Sequence, residues 1–440
     1  MKRTDKEYPD ELPSVPPISS PHAETATTHD PYRALRFRDF RLLLIGTFIT
    51  TLGVQMVNVA IGWELYERTG SALVLGGVGL VLVLPVILLS LPAGHVVDQY
   101  NRKYIVMVSQ MILALGSLGL TVLSYTHGSL ILIYACLLLM GSAVAFNSPA
   151  VATLLPLTVS ETVYENAATW ESSAWQLASV LGPALGGFVI ALRQSATLVY
   201  GLDAGASLIF VMLISMLRQK SQKISQEKST TLSSLVEGVK FLRQDQIILA
   251  AITLDMFAVL LGGATMLLPI FAKDILHVGP SGLGWMRAAP SIGAVCISLC
   301  IAHIPPFKKA GRTLLWAVAG FGMATVVLGI SGSFWLSLLM LFLLGGLDNI
   351  SVVIRSTLLL TRTPDTMRGR VSAINALFIG ASNELGGFES GLAAQLFGPI
   401  LAVAGGGVGT ILVVLIVALL WPEVRRLGPL SGTENLPDER

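Results

Sequence analysis

Polar and charged residues stand inside long apolar stretches of this sequence. An unpaired polar group within a membrane costs several kcal/mol, so each of these residues is a candidate for chemistry. Carboxylates in such positions can take up and release protons, while amides and arginines can bind a substrate. The candidates for proton coupling or for lining a substrate cavity are Gln55, Asn58, Asn147, Asp255, Asp348, Asn349, Arg355, Asn383, Glu384 and Glu389.

Two interpretations of the carboxylates remain open. Burial and neighbouring charges both shift the pKa of a carboxyl group, so a movement that alters either could couple protons to a conformational change. Alternatively, Asp348 and Arg355 form a permanent pair, because they lie seven residues apart and about two turns of helix places them on one face. Glu389 would then only close a contact between helices. Arg287 could attract an anionic substrate or extend to the membrane surface, and we favour the second.

Twelve apolar stretches carry these residues. A helix needs about 20 residues to cross a hydrocarbon core of about 30 Å. The predicted spans are 41–65, 72–93, 104–124, 129–151, 168–192, 196–217, 247–272, 283–303, 312–332, 334–358, 371–395 and 398–421. Only 13% of the residues are charged, against about 25% in soluble domains. The predicted fold class is therefore an all-α polytopic membrane protein with twelve transmembrane helices.

Positive charge alternates between the gaps that separate these spans. Only Arg68, Arg193 and Lys273 fall in one set of gaps, and Arg287 and Arg355 fall within spans. The other Lys and Arg residues lie before the first span, in the alternate gaps, at the first position of the spans that follow these segments (Arg41 and Arg312) or after the last span, although the gap between spans four and five has none. Because positive loops face the cytoplasm, both termini are predicted to be cytoplasmic. The basic residues form no continuous patch, which argues against a nucleic-acid partner.

The longest basic connection divides the chain after six spans. A duplicated arrangement with a cytoplasmic middle loop is typical of two half-bundles that enclose a path. The predicted organisation is a disordered arm at 1–38, a six-helix bundle at 39–217, a linker with an amphipathic helix at 218–246, a second six-helix bundle at 247–421 and a cytoplasmic tail at 422–440.

A motif at the second gap suggests a family. It comprises Gly94, Asp98, Arg102 and Lys103. This spacing resembles the loop signature of the major facilitator superfamily, and the resemblance implies that these residues hold a cytoplasmic gate shut in the outward-open state. A carboxylate at Asp98 could sit against the start of span eleven, beside Arg368 and Arg370. The alternative is that Asp98 and Arg102 are solvated loop charges.

Span five carries a motif similar to that of exporters in this superfamily. Its residues are Gly182, Pro183, Gly186 and Gly187, within a stripe of small residues on which another helix can pack closely. Residues 36–421 resemble a branch of bacterial siderophore, drug and macrolide exporters, and the superfamily resemblance implies that spans one, four, seven and ten line a central cavity. Two departures are the second gate segment at 303–312, which has no Asp, and span four, which lacks the Arg of several proton-coupled exporters.

The function predicted from these features is transport. No nucleotide-binding loop or metal-ligand spacing is found, so we expect a non-enzyme without cofactor or metal that is driven by a gradient. The resemblance implies a monomer in the bacterial cytoplasmic membrane that exports an amphipathic small molecule, siderophore or drug-like, driven by protons through alternating access. A lipid flippase on the same fold is the alternative, followed by a membrane sensor or enzyme.

Overall fold

The computed structural model describes residues 30–218, 240, 242, 245–305 and 307–429. The regular structure in this part of the chain is helical, with no strand. The predicted disordered arm, up to residue 29, lies outside the described residues. So do most of the predicted linker with its amphipathic helix at 218–246 and the end of the tail beyond residue 429.

Twelve long helices make up the described chain. In the first half they are α1 (Arg38–Thr69), α2 (Ala72–Gln99), α3 (Arg102–Tyr125), α4 (Leu130–Thr158), α5 (Tyr164–Arg193) and α6 (Thr197–Ser215). In the second half they are α7 (Gln246–Leu261), α8 (Gly279–His303), α9 (Ala310–Ile330), α10 (Phe334–Arg362), α11 (Asp365–Phe397) and α12 (Pro399–Leu420), followed by the short α13 (Pro422–Arg426).

Helix α7 is interrupted. After Gly262 the chain continues as a 3₁₀ turn (Ala264–Leu267), a single α-helical turn (Leu268–Ile270) and a π-helical segment (Phe271–Ile275). A Cβ on Gly263 would lie 2.6 Å from the carbonyl oxygen of Gly386 in α11. The missing side chain therefore allows α7 and α11 to approach closely at the break.

Eleven of these helical segments are long and apolar enough to cross a membrane, counted over the described residues. Helix α11 is not among these eleven. Its length of 33 residues is sufficient. The all-α membrane fold is confirmed, while the count of twelve transmembrane helices stays a prediction.

Several helices are longer than the predicted spans. Helix α2 has 28 residues, about 42 Å at 1.5 Å per residue, so it extends beyond a hydrocarbon core of about 30 Å. Its last turns contain Gly94 and Asp98, which the sequence had placed in a loop. Likewise, Arg102 and Lys103 begin α3, and Arg368 and Arg370 lie in the first turns of α11. Apolarity marks only the part of a helix that faces lipid, so the polar ends were missed.

The helices form two bundles of similar plan. In the first, α1 packs on α5 and α6, and α3 packs on α4 and α6; in the second, α8 packs on α10, and α9 packs on α10 and α12. The principal contacts between the bundles are α5 with α8 and α2 with α11. Because successive helices run in opposite directions, both ends of the described chain lie on one side. We call this side the terminal end and the other the distal end.

Candidate functional site

Helices α5 and α8 meet through two glycines near the distal end. A Cβ on Gly187 would lie 2.8 Å from the Cα of Gly284, and a Cβ on Gly284 would lie 2.6 Å from the carbonyl oxygen of Pro183. Distances this short to backbone atoms leave no space for a side chain. The two bundles therefore approach along a seam that requires glycine on both sides.

Helices α2 and α11 form a second seam of the same kind. A Cβ on Gly391 would lie 2.8 Å from the Cα of Gly76 and equally close to the carbonyl oxygen of Ala72. Close by, the Ser71 hydroxyl donates a hydrogen bond to the Gln395 side chain at 3.3 Å. Each seam joins the first turns of one helix, α8 or α2, to the last turns of a helix in the other bundle, α5 or α11. These helix ends all lie at the distal end, so the distal end is closed in this conformation.

Tyr66 adds a third connection between the bundles at the distal end. Its hydroxyl donates a hydrogen bond to the Asp274 carboxylate in the π-helical segment after α7. The ammonium group of Lys273 lies 5.7 Å from the centre of the Tyr66 ring, within the range of a cation–π interaction. Polar contacts thus reinforce the glycine seams.

At the terminal end, the gate residues Arg102 and Lys103 contact their own bundle. Among described residues, Asp98 has no ion pair or hydrogen-bonded side-chain partner. Arg102 donates to the Thr153 carbonyl at 3.3 Å, and Lys103 donates to the Ser215 carbonyl at 2.7 Å and to the Leu217 carbonyl at 2.9 Å. The contacts of Arg368 include the Leu360 carbonyl at 3.1 Å, and those of Arg370 include the Met367 sulfur at 3.5 Å. A Cβ on Gly94 would meet nothing within 4 Å. The predicted cytoplasmic gate stays a prediction.

Arg287 and Glu384 lie at the boundary between the bundles. Arg287 comes from α8 and Glu384 from α11, and these two side chains, both in the described part of the chain, form neither an ion pair nor a hydrogen bond with each other. A Cβ on Gly62 in α1 would lie 3.5 Å from a terminal nitrogen of Arg287, and one on Gly79 in α2 would lie 2.8 Å from the Glu384 carboxylate. Two opposite charges of the second bundle thus face two glycines of the first.

Arg287 does not extend to the membrane surface, so the favoured prediction was wrong. Its Nε is buried and has no hydrogen-bond partner among the described residues. The residue lies about two turns into α8, and its side chain points towards α1 instead of outwards. The sequence shows how far Arg287 lies from the helix end but not the direction of its side chain, so it could not distinguish extension to the membrane surface from contact with α1.

Glu384 also lines a cavity of about 340 Å³ between α1, α2, α4 and α11. Asn58 of α1 contributes an amide to the same space. The rest of the wall is almost entirely apolar, and includes Val57, Ile61, Val83, Val86, Leu137, Met140 and Ala381. A cavity with one carboxylate and one amide in an apolar wall suits an amphipathic compound.

The amides of α1 form a short chain of hydrogen bonds. The Asn58 amide donates to the Gln55 side-chain oxygen at 3.2 Å, and the Gln55 amide donates to the Ser179 hydroxyl of α5 at 3.1 Å. This series of hydrogen bonds leads from the cavity into the first bundle. These hydrogen bonds hold the Asn58 side chain in place where it lines the cavity.

Asn147 lies elsewhere in the first bundle. Its side-chain oxygen accepts a hydrogen bond from Gln110 at 3.3 Å. It lines a separate cavity of about 270 Å³ together with Glu171 and Trp175. The structure therefore does not bring Asn147 to the cavity that Glu384 lines.

The second bundle contains a buried ion pair that the sequence had assigned differently. Arg355 pairs with Asp255 of α7, and the two residues are 4% and 5% exposed. The predicted pair between Asp348 and Arg355 is wrong, because the guanidinium points across to α7 and not along its own helix. Asp348 has no ion pair or hydrogen-bonded side-chain partner among the described residues, and its neighbour Asn349 donates to the Ser298 hydroxyl at 2.8 Å.

This buried pair carries a testable expectation for stability. Replacing Arg355 by Met leaves the Asp255 carboxylate buried and unpaired, which should lower the free energy of unfolding by about 3–5 kcal/mol. Adding Asp255→Asn should restore most of this loss. Unfolding in detergent measures both effects, with the exposed Arg193→Met as the matched control. Equal stability of the single and double variants would contradict a paired role.

Asn383 and Glu389 lie on α11 but do not line the cavity that Glu384 lines. The Asn383 amide donates to the Ile379 carbonyl at 3.0 Å, and Glu389 accepts a hydrogen bond from the neighbouring Ser390 at 3.5 Å. The side chain of Asn383 is exposed. Of the three candidates on this helix, only Glu384 reaches the boundary cavity.

The small residues of α5 pack against two different helices. A Cβ on Gly182 would lie 3.0 Å from the Leu52 carbonyl oxygen, and one on Gly186 would lie 2.9 Å from the Met56 Cα, both in α1. Gly187 instead faces α8. Helix α5 remains continuous through Pro183. The motif thus joins α5 both to its own bundle and to the other one.

One buried carboxylate was missed at the sequence level. Asp203 of α6 is 2% exposed and accepts a hydrogen bond from the Ser117 hydroxyl of α3 at 2.6 Å. Its other oxygen is buried without a partner among the described residues, and it faces Gly53 of α1. The signal was available, since Asp203 lies within the predicted span 196–217 and any acidic residue in an apolar stretch is a candidate.

Comparison with known proteins agrees with this architecture. Residues 28–427 match the family described as transmembrane secretion effector, so the chain belongs to this family of major facilitator superfamily transporters. It is 25% identical over 390 residues to the enterobactin exporter EntS of Citrobacter koseri, covering 88% of this chain and 92% of the relative. It is 26% identical over 400 residues to the multidrug efflux pump Tap of Mycolicibacterium fortuitum, covering 88% and 96%.

A solved structure supports the fold independently. The crystal structure of a bacterial homologue of the human lysosomal transporter Spinster, inward-facing and unoccupied, superposes with a TM-score of 0.69 at 13% identity. The match covers 89% of this chain and 97% of the other. Two bundles joined at α2–α11 and α5–α8 therefore form a major facilitator fold, and the chain is a transporter, not an enzyme.

Proposed function

We propose that this transporter exports an amphipathic small molecule, a siderophore or drug-like compound, in exchange for protons by alternating access. The observation that carries the proposal is the position of two opposite charges, Arg287 and Glu384, which face Gly62 and Gly79 across the boundary beside an apolar cavity. The cavity lies between two bundles of one chain, so a monomer suffices. Both termini lie in the cytoplasm of a bacterium, as the distribution of Lys and Arg predicts.

Glu384 is the proposed proton-coupling residue. When ionised, its carboxylate offsets part of the Arg287 charge at the boundary, where both residues are partly buried. Protonation removes the negative charge and leaves Arg287 without its counter-charge at the boundary. Separation of the distal ends would then admit water or a substrate anion to Arg287. The protonation state of Glu384 is thereby linked to the contact between the two bundles.

The other polar candidates have supporting roles in this proposal. Asn58 contacts the substrate, with Gln55 holding its side chain. The Asp255–Arg355 pair fixes α7 to α10, and Asp348 and Asn349 form a second polar region on α10. Asn147, Asn383 and Glu389 lie outside the boundary cavity and are assigned no part in proton coupling.

The terminal end closes in the opposite conformation through the gate residues. Asp98 at the end of α2 would then approach the beginning of α11, where Arg368 and Arg370 lie. A carboxylate near a helix N-terminus and a guanidinium group is stabilised by both. Gly94 leaves space for this approach, because nothing lies within 4 Å of its Cβ position.

Export and substrate class are supported by the relatives, whose names refer to enterobactin export and to multidrug efflux. The apolar wall of the cavity is compatible with either kind of compound. Inside-out membrane vesicles energised with an acidic interior would test the proposal with a panel of siderophores and antibiotics. We expect proton-gradient-dependent uptake of at least one of them. Movement of labelled phospholipid, with no uptake of any panel compound, would favour a flippase instead.

A further inference from the structure

A large groove lies on the outer surface of the second bundle, away from the boundary cavity. It runs between α9 and α12 and has a volume of about 870 Å³. Its lining consists of Arg312, Leu315, Trp316, Ala319, Gly320, Met323, Ile411, Val414, Leu415, Pro422, Arg425 and Arg426. The three arginines lie at the terminal end, and the rest of the groove is apolar.

The groove has the dimensions of one membrane leaflet. Arg312 lies in the first turn of α9 and Met323 lies eleven residues further along, which is about 16 Å of helix. This is about half of a hydrocarbon core of about 30 Å. Trp316 is 77% exposed along this path. The apolar part therefore extends from the membrane surface to about the depth that one acyl chain reaches.

The arginines supply a concentrated positive charge at the membrane surface. Arg312, Arg425 and Arg426 are exposed, and none has an ion pair or side-chain hydrogen bond to another residue within the described part of the chain. Glu423 is close in sequence but does not line the groove. Guanidinium groups bind phosphate oxygens through paired hydrogen bonds, so this cluster suits a phosphate-containing group.

A second groove of about 590 Å³ provides a natural comparison. It lies between α3 and α4, and Tyr100, Tyr104, Val108, Leu139 and Phe146 are among its lining residues. None of the residues that line it is charged. Acyl chains could occupy either groove, but only the groove at α9 and α12 offers charge for a head group.

We infer that the groove formed by α9, α12 and α13 binds an anionic phospholipid, with its phosphate at the three arginines and an acyl chain along Trp316 and Met323. Basic pockets beside transmembrane helices are suited to anionic head groups. A phospholipid suits this groove better than a free inorganic anion, because the anion would leave most of the apolar lining uncovered. This site is independent of the substrate pathway and of the direction of transport.

Quenching of Trp316 fluorescence tests the inference. The protein is reconstituted in phosphatidylcholine nanodiscs with increasing amounts of phosphatidylglycerol or phosphatidylcholine brominated in the acyl chain. The signal of Trp316 is the difference between the wild type and Trp316→Phe. We expect half-maximal quenching at a mole fraction at least about fivefold lower for phosphatidylglycerol. Arg312→Ala/Arg425→Ala/Arg426→Ala should remove this preference.

The control variant is Arg33→Ala/Arg38→Ala/Arg41→Ala, which removes three exposed arginines elsewhere at the terminal end. It should keep the full preference. Equal quenching by both brominated lipids in the wild type would overturn the inference. So would loss of the preference in the control variant, since that would indicate general attraction by surface charge. Loss of the preference for phosphatidylglycerol in millimolar inorganic phosphate would indicate that the three arginines bind a free anion instead of a lipid.

Discussion

Replacement of Gly187 or Gly284 by alanine is expected to lower transport by about 5–150-fold. The new methyl group would lie less than 3 Å from backbone atoms of the other bundle, so the distal seam could not close without separation of α5 from α8. Overpacking of this kind costs about 1–3 kcal/mol. A change of that size in a conformational equilibrium corresponds to about 5–150-fold. Uptake into inside-out vesicles measures the effect.

Gly205→Ala is the matched control for this experiment. Gly205 lies in α6, and nothing lies within 4 Å of its Cβ position. This variant should transport normally. The Gly187 and Gly284 variants should also keep the thermal unfolding transition of the wild type, because the contact they disturb lies between bundles. Normal transport by Gly284→Ala would rule out distal closure as a required step.

Glu384→Gln should abolish the response of transport to an imposed proton gradient. Glutamine has the shape of a protonated glutamate but cannot exchange a proton, so a carrier with this residue cannot use the gradient through Glu384. We expect a loss of at least about tenfold in gradient-driven uptake, which corresponds to about 1.4 kcal/mol. Arg287→Gln should reduce uptake as well. The double variant should lose less than the product of the two single effects, because both charges face the first bundle at the same boundary.

Glu67→Gln serves as the control, since Glu67 is an exposed carboxylate on the neighbouring α1. It should leave both the rate and its dependence on the gradient unchanged. If Glu384→Gln behaves like Glu67→Gln, another carboxylate must carry the protons. Asp203, with one buried oxygen unpartnered among the described residues, and Asp348 would then be the next to test.

The architecture could be predicted from the sequence because burial in lipid imposes a strong and local pattern. Runs of apolar residues located the long helices, and the two-fold organisation followed from the position of the basic connection. The ends of the helices were harder to predict, as α2 and α11 show. Their polar turns lie outside the hydrocarbon, where helix and loop residues have similar composition.

The site was only partly predictable. Every polar residue in an apolar stretch was a sound candidate, and Glu384 and Asn58 do face one cavity. Which groups pair depends on helix rotation and on contacts between distant segments. Arg355 therefore pairs with Asp255, about one hundred residues away, and not with Asp348 on its own helix. The direction of Arg287 depends on the position of α1, which no local pattern encodes.

Distances across both ends of the transporter test the central claim of alternating closure most directly. Cys136, Cys296 and Cys300 are first replaced. Spin labels at Ser71 and Gln395 then report on the distal end, and labels at Gln99 and Thr361 report on the terminal end. In nanodiscs, acidification or a transported compound should lengthen the distal distance and shorten the terminal one together, and Glu384→Gln should not respond to acidification. Distances that stay constant under both conditions, or change in the same direction, would contradict the account.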